Sequence, residues 1–304
     1  MSDIISNCIA NKPKTLVIDD VKWKYLIRSI LRAKNILIVG PTGCGKTSAA
    51  IEASNYLNRN DRFFKFNLGS TQDARSSLIG NTHFEKQTGT IFSESTFVKA
   101  IKTENSIILL DELSRASHDA INILMPVLDN IQRYLRLDEK KDSDVINVAN
   151  GVSFIATANI GSEYTATRIM DRALLNRFGV RIEMNPMAED AEFGLILEKF
   201  KQFTKEENLE KQKLLRIITE IAHHTRTEVK REDGKLTDFI STRAVVEMAE
   251  LILEDFSLME ISECVIYPIF STEGGLDSER TYIKMLVQKF TKDNTPENLY
   301  ESDE

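Results

Sequence analysis

Two short strings in this sequence carry residue types and spacings that could do chemistry. The first, Gly40-Pro41-Thr42-Gly43-Cys44-Gly45-Lys46-Thr47, has the form G-x-x-x-x-G-K-T. It follows an apolar run and opens a stretch of helical pattern, the context in which this spacing cradles phosphates. The glycines let backbone N–H groups turn towards an anion, and the start of the helix adds about half a positive charge there. Lys46 would reach the β- and γ-phosphates of a nucleotide, and the Thr47 hydroxyl would ligate Mg2+. A Gly-rich turn that merely joined a strand to a helix would have no use for the Lys-Thr pair. Cys44 sits at a free position of the loop and reads as filler.

The second string is Ile107-Ile108-Leu109-Leu110-Asp111-Glu112, four apolar residues ending in two carboxylates. In open α/β sheets the carboxyl ends of the strands face the ligand crevice. Asp111 would then hold the Mg2+ shell, and Glu112 would orient or deprotonate an attacking water. Taken alone, such a run is about as often a strand entering a solvated turn; paired with the loop upstream, it points to nucleotide hydrolysis. A third apolar run ends in Thr157-Ala158-Asn159, which places an amide at the same sheet edge. Asn159 could bond a γ-phosphate or a water, or simply cap a loop as Asn commonly does, and position leaves both readings open. Arg168, Arg172 and Arg177 then supply three guanidiniums in ten residues.

The elements that must position these groups are legible from periodicity. Trp23, Leu26, Ile27, Ile30 and Leu31 predict an amphipathic helix leading into a strand at 35–39, uniformly apolar as a strand buried on both faces should be. Helical pattern at 46–57 and 117–128 alternates with strand pattern at 63–68, 107–110, 153–158 and 180–184, which predicts a parallel sheet with right-handed crossovers. Alternation at 134–138 and 145–148 around a charged turn predicts an inserted hairpin. Past Asn185-Pro186, a dipeptide that disfavours helix at its first residue, the pattern becomes helical, with Val245, Met248, Ala249, Ile252 and Leu253 forming one stripe. The expected organisation is a nucleotide-binding α/β domain over 1–185 and a smaller all-α domain over 186–304.

Bulk properties narrow the field. The chain has 304 residues, 42% hydrophobic and 28% charged, with a net charge of −7. That composition is globular, and the negative charge lacks the footprint of a general nucleic-acid binder. Glu297, Glu301, Asp303 and Glu304 read as a solvated acidic tail. No apolar run approaches the roughly 20 residues a membrane helix needs, and the first ten residues lack a secretory pattern. Cys8, Cys44 and Cys264 match neither a disulfide framework nor a metal spacing, and His223-His224 has no further ligand nearby. A cytoplasmic location is expected.

The succession GPTGCGKT (40–47), LLDELSRAS (109–117), ATANIGSEYTATRIMDRALLNRF (156–178) and STRAVVEMAELI (241–252) resembles an AAA+ ATPase of the MoxR type, close to the dynein-related and CobS-like branch. The resemblance covers residues 15–260 or so. It implies a P-loop AAA+ core, a parallel β-sheet sandwiched by helices, followed by a small all-α lid domain. It implies ATP as the nucleotide, since nothing else in the sequence reads the base. Residues 40–47 then correspond to the Walker A loop, Asp111 and Glu112 to Walker B, Asn159 to sensor 1, Arg177 to an arginine finger completing a neighbouring subunit's site, and Arg243 to sensor 2. Arg115 matches a DExxR-like pattern. The family's insert in the second helix and its hairpin before sensor 1 fall at 80–92 and 132–148.

Two functional classes follow. One is a mechanoenzyme: a ring, by resemblance a hexamer, whose ATP hydrolysis remodels a protein partner with a von Willebrand A-like domain. The other is a nucleic-acid motor or loader of the same superfamily, disfavoured by the charge. A stand-alone kinase or GTPase fits less well, because no Asn-Lys-x-Asp string follows the loop. With the last residue at Glu304, the object acted upon is expected on another polypeptide or on nucleic acid.

Overall fold

The computed structural model describes residues 2–70, 73–85, 89–137, 144–159 and 171–292. The chain divides into two compact units, Met1–Pro186 and Met187–Glu304. In the first, α1 (Ser2–Asn7) and α2 (Asp20–Leu31) precede β1 (Asn35–Val39), α3 (Lys46–Tyr56) and β2 (Phe63–Asn67). Next come α4 (Ala74–Leu78), the antiparallel pair β3 (Gly80–Glu85) and β4 (Gly89–Glu94), α5 (Thr96–Lys102) and β5 (Ile107–Asp111). The unit is completed by α6 (His118–Val127), the antiparallel pair β6 (Tyr134–Leu137) and β7 (Asp144–Asn147), β8 (Ser153–Ala158), α7 (Arg172–Leu175) and β9 (Val180–Glu183). Both stretches expected as inserts are therefore antiparallel hairpins, one between α4 and α5 and one ahead of β8.

Five strands form one parallel sheet in the order β2-β5-β8-β1-β9. The alternation of side chains along each strand divides the core in two. Leu37, Ile108, Leu110, Phe154 and Ala156 face the layer of α4, α5 and α6, where Phe97 and Leu124 are fully buried. Ile36, Ile38, Ile107, Leu109 and Ile155 face the other layer, with Trp23, Ile27, Ala49 and Ala53 from α2 and α3. Each fully buried Ile or Leu contributes about 1.5–3 kcal/mol, which is why these strands read as unbroken apolar runs. α2 begins where Asp19 accepts from the Val21 and Lys22 N–H groups, an N-cap that satisfies donors the helix cannot. Trp23, invisible to solvent, donates from its indole to the Cys8 carbonyl at 2.9 Å and ties α1 to the core.

Register decides the site. Val39 lies opposite both Ala158 and Glu183, and Asn67 lies opposite Asp111. Parallel strands in step end in step, so whatever follows β1, β2, β5 and β8 emerges at one sheet edge.

The second unit contains α8 (Glu189–Lys199), α9 (Leu209–Glu228), α10 (Thr242–Leu253), α11 (Leu258–Ile261) and α12 (Glu279–Lys292). Its core gathers Ile196, Phe203, Leu215, Ile218, Val245, Met248 and Ile252 around Phe270 and Ile283. A buried ion pair, Arg226 with Glu192, bridges α8 and α9 at 2.9 Å through both guanidinium ends. Among the described residues no helix is long and apolar enough to cross a membrane.

Candidate functional site

The loop at 40–47 leaves the end of β1 and enters α3, with Gly45 as the residue before the helix. Gly43 and Gly45 have φ of 80° and 89°, left-handed values that side chains rarely adopt. Gly40 is required by proximity: a Cβ there would lie 2.2 Å from the Met184 carbonyl oxygen at the end of β9. The Gly40 N–H donates to the Ala158 carbonyl at 3.3 Å, which fastens the loop to the end of β8. Lys46 is buried at 8% exposure and its ammonium donates to the carbonyls of Gly40 and Pro41 at 2.8 and 2.6 Å. Desolvation lowers its pKa, opposed by Cys44 and by the charges of Asp111 and Glu112. Two of its three donors thus fix the head within the loop, while the third side is met by the weakly accepting Cys44 sulfur at 3.8 Å. Cys44 is therefore more than filler. It is 4% exposed, packs with the β1 and β9 core, and burial pushes its thiol pKa up.

Opposite the loop, Asp111 has three partners. Thr47 Oγ1 donates to its carboxylate at 3.0 Å, Thr157 Oγ1 donates at 2.5 Å, and the Lys65 ammonium lies 2.9 Å away. Burial alone would raise this carboxyl; the hydrogen bonds from Thr157, Lys65 and Thr47 and the lysine charge outweigh it and hold Asp111 below its ordinary range. The Thr157 hydroxyl also accepts from the Glu112 N–H at 3.0 Å, so one side chain orients both acidic residues.

Glu112 is a non-glycine residue in the left-handed region, with φ of 57°, and such strain concentrates at functional sites. Its carboxylate lies over Gly69, where a Cβ would be 2.2 Å from Oε2, and faces Arg115 at 3.6 Å. Asn159 follows β8 directly and is half-buried, so it adjoins the loop that Ala158 anchors.

The donor set fits Mg2+. A hydroxyl and a carboxylate 3.0 Å apart are hard oxygen ligands, and this ion takes few protein ligands and keeps several waters. The Lys65 ammonium already shows that a cation is favourable beside Asp111. The loop fits a polyphosphate, with left-handed glycines of the kind that form anion-binding concavities and a lysine held among them.

Three residues of this constellation, Lys65, Gly69 and Thr157, were not singled out by sequence reasoning. Lys65 had a signal, a lone charge between Phe64 and Phe66 in a strand. Thr157 had almost none, since a β-branched residue is ordinary in a strand.

The remaining residues lie elsewhere. Arg177, half-buried, follows α7; its Nε and one terminal nitrogen donate to the Met125 and Ala173 carbonyls, both at 2.8 Å. It lines a groove of about 530 Å³ with Met125, Asp129, Gln132 and Tyr134. Its carbonyl accepts from Asn35 at 3.0 Å, and Asn35 begins β1 whereas the phosphate loop follows its end. Arg172 opens α7 and is exposed. Arg243 is exposed in the first turn of α10, in the second unit. Arg168, the acidic tail, and residues 86–88 and 138–143 of the expected inserts lie outside the described residues.

A parallel sheet whose carboxyl edge joins a phosphate loop to an Asp-Glu pair defines a P-loop nucleotide hydrolase. The AAA domain of the dynein-related subfamily matches residues 35–178. An uncharacterized protein of Staphylococcus epidermidis is 31% identical over 223 residues, covering 72% of this chain and 78% of that one. One from Staphylococcus saprophyticus is 36% identical over 150 residues, 48% of this chain and 54% of the relative, so the match spans about half of that protein. The "Putative chaperone BssE" of Thauera aromatica is 28% identical over 227 residues, 74% of this chain and 72% of that one. Among solved structures, Hsp104 with ATPγS and FITC casein in its closed state superposes with a TM-score of 0.53 at 17% identity, covering 71% of this chain and 43% of Hsp104. Residues 35–178, within the first unit, match an AAA domain of the dynein-related subfamily, and that unit is an AAA ATPase domain.

Proposed function

We propose that this protein is a MoxR-like ring ATPase, a hexamer, that hydrolyses ATP with Mg2+ to remodel a protein partner bearing a von Willebrand A-like domain. In this reading Lys46 binds the β- and γ-phosphate oxygens, and Thr47 and Asp111 hold Mg2+, which neutralises charge on the transferred phosphoryl group. Glu112 takes a proton from the attacking water or orients it, Asn159 bonds that water or the γ-phosphate, and Arg177 stabilises the charge developing on a neighbour's nucleotide. Residues 186–304 act as the lid, with Arg243 as sensor 2. A cytoplasmic location suits a chain in which no helix among the described residues is long and apolar enough to cross a membrane.

One observation carries the trans assignment. The Arg177 backbone is bonded to the first residue of β1, the loop follows the last, and four steps of about 3.3 Å put roughly 13 Å between them along the strand. Facing a groove at the far edge, Arg177 suits a second subunit's nucleotide better than its own. The Hsp104 neighbour with casein and the chaperone-named BssE support a protein client over nucleic acid.

The test is the mass of the protein in solution by light scattering, wild type and Glu112→Gln, with and without ATP and Mg2+. A shift to a species of about six subunits, strongest in the variant that binds without hydrolysing, is the expected result. Monomers that hydrolyse ATP at full rate would remove the ring. Stimulation by single-stranded DNA and by no protein would replace the client.

A further inference from the structure

The base of β1 corrects the expectation of a uniformly apolar strand at 35–39, because its first residue is the polar Asn35. Its sequence, Asn-Ile-Leu-Ile-Val, would be an unbroken apolar run but for Asn35, a poor strand former that is only 6% exposed. Such breaks of a local rule mark functional or strained sites. The Asn35 amide donates to the Leu128 carbonyl at 2.7 Å and to the Arg177 carbonyl at 3.0 Å, and its oxygen accepts from Arg133 at 3.2 Å. The two carbonyls belong to one apparatus: Leu128 ends α6, and the Met125 carbonyl in the last turn of that helix is the one that holds Arg177 Nε. A single amide therefore fixes the residue that carries the guanidinium and the helix end that aims it.

Arg133 continues the chain of contacts. It donates to the Val152 carbonyl at 2.9 Å, lies 5.0 Å over the Phe154 ring, and keeps a buried Nε without a partner among the described residues. Its carbonyl accepts from Val148 N–H at 2.9 Å, which closes the base of the β6/β7 hairpin. Arg133 is half-buried, a buried donor left unmet is costly, and its contacts link the base of the hairpin to Asn35.

We infer that Asn35 and Arg133 are positioning residues for Arg177, coupling the β6/β7 hairpin and the strand that carries the subunit's own phosphate loop to the arginine offered to the next subunit. The inference rests on Arg177 acting in trans. Asn35→Leu restores the apolar strand and removes both donors; Arg133→Met keeps the stacking length and removes the fork. Neither touches nucleotide.

The experiment measures ATPase kcat and KM, and the Kd of a fluorescent ATP analogue, for Asn35→Leu, Arg133→Met, Arg177→Ala and each double variant, with folding checked by circular dichroism. Misplacing a catalytic group by about 1 Å costs up to about 100-fold, so kcat should fall about 10- to 100-fold in both single variants while KM and Kd stay within about twofold. In the Arg177→Ala background neither substitution should lower kcat further. A drop of the same factor in that background, or unchanged kcat in the single variants, overturns the positioning role. If Arg177→Ala alone retains full activity, it is the trans reading that has failed. Should Asn35→Leu not fold, Arg133→Met and its double variant decide alone.

Discussion

Thr157 carries more of the site than its type suggests, because its hydroxyl donates to Asp111 and accepts from Glu112 N–H at once. Replacing it with Val keeps the shape and removes both bonds. Groups that orient a metal ligand are typically worth about 10–100-fold in metal affinity or activity, so Thr157→Val should raise the Mg2+ concentration for half-maximal ATPase activity by about that factor. A Mg2+ titration at fixed ATP checks it, and an unchanged midpoint would assign Thr157 to packing alone. The cysteines give a second expectation at this scale. Burial raises the Cys44 and Cys8 thiols, Cys264 is exposed, and only the thiolate is nucleophilic. Mass spectrometry after brief iodoacetamide treatment at neutral pH should therefore find label on Cys264 first and on Cys44 only as the pH is raised well into the alkaline range.

At the scale of elements, α8 and α9 are joined by Glu192 and Arg226, 0% and 7% exposed, with the Arg226 Nε also donating to the Ile240 carbonyl. Removing one partner of such a pair leaves a buried charge uncompensated and costs about 3–5 kcal/mol, whereas replacing both by apolar residues of like volume is often neutral. Glu192→Ala should lower the urea midpoint of the second unit's transition in the full chain by that equivalent, and Glu192→Leu with Arg226→Met should recover most of it. Equal losses in both variants would mean that the pair contributes attraction beyond its own desolvation. The hairpins belong to this scale too. Gly80 has φ of 140° and no room for a Cβ, which would lie 2.2 Å from the Ser93 carbonyl oxygen, so β3 can pair with β4 only through glycine there.

At the scale of the whole molecule the trans arrangement makes a prediction that no single subunit can satisfy. Arg177→Ala retains its Glu112, and Glu112→Gln retains its Arg177. In a head-to-tail ring mixed at random from equal parts, about a quarter of the interfaces join an intact glutamate to an intact arginine. The mixture should hydrolyse ATP at about that fraction of the wild-type rate, well above the residual rate of either parent. Activity no greater than the average of the parents would place Arg177 outside the neighbour's site.

The two strings with the strongest local grammar, the phosphate loop and the apolar run ending in Asp111-Glu112, were legible because their chemistry is contiguous. Backbone turn, helix start, lysine and hydroxyl lie within eight residues, and no folding is needed to bring them together. The strand order was not legible. Alternating helices and strands imply a parallel sheet, but placing β8 between β1 and β5 depends on which faces pack, and that is settled by cores that join residues as far apart as Leu37 and Phe178. Lys65 and Thr157 entered the site, and Asn35 and Arg133 met beneath Arg177, only through that register. Side chains from separate strands acquire a common function when parallel pairing brings their ends into step, and the sequence of any one strand does not record its neighbour.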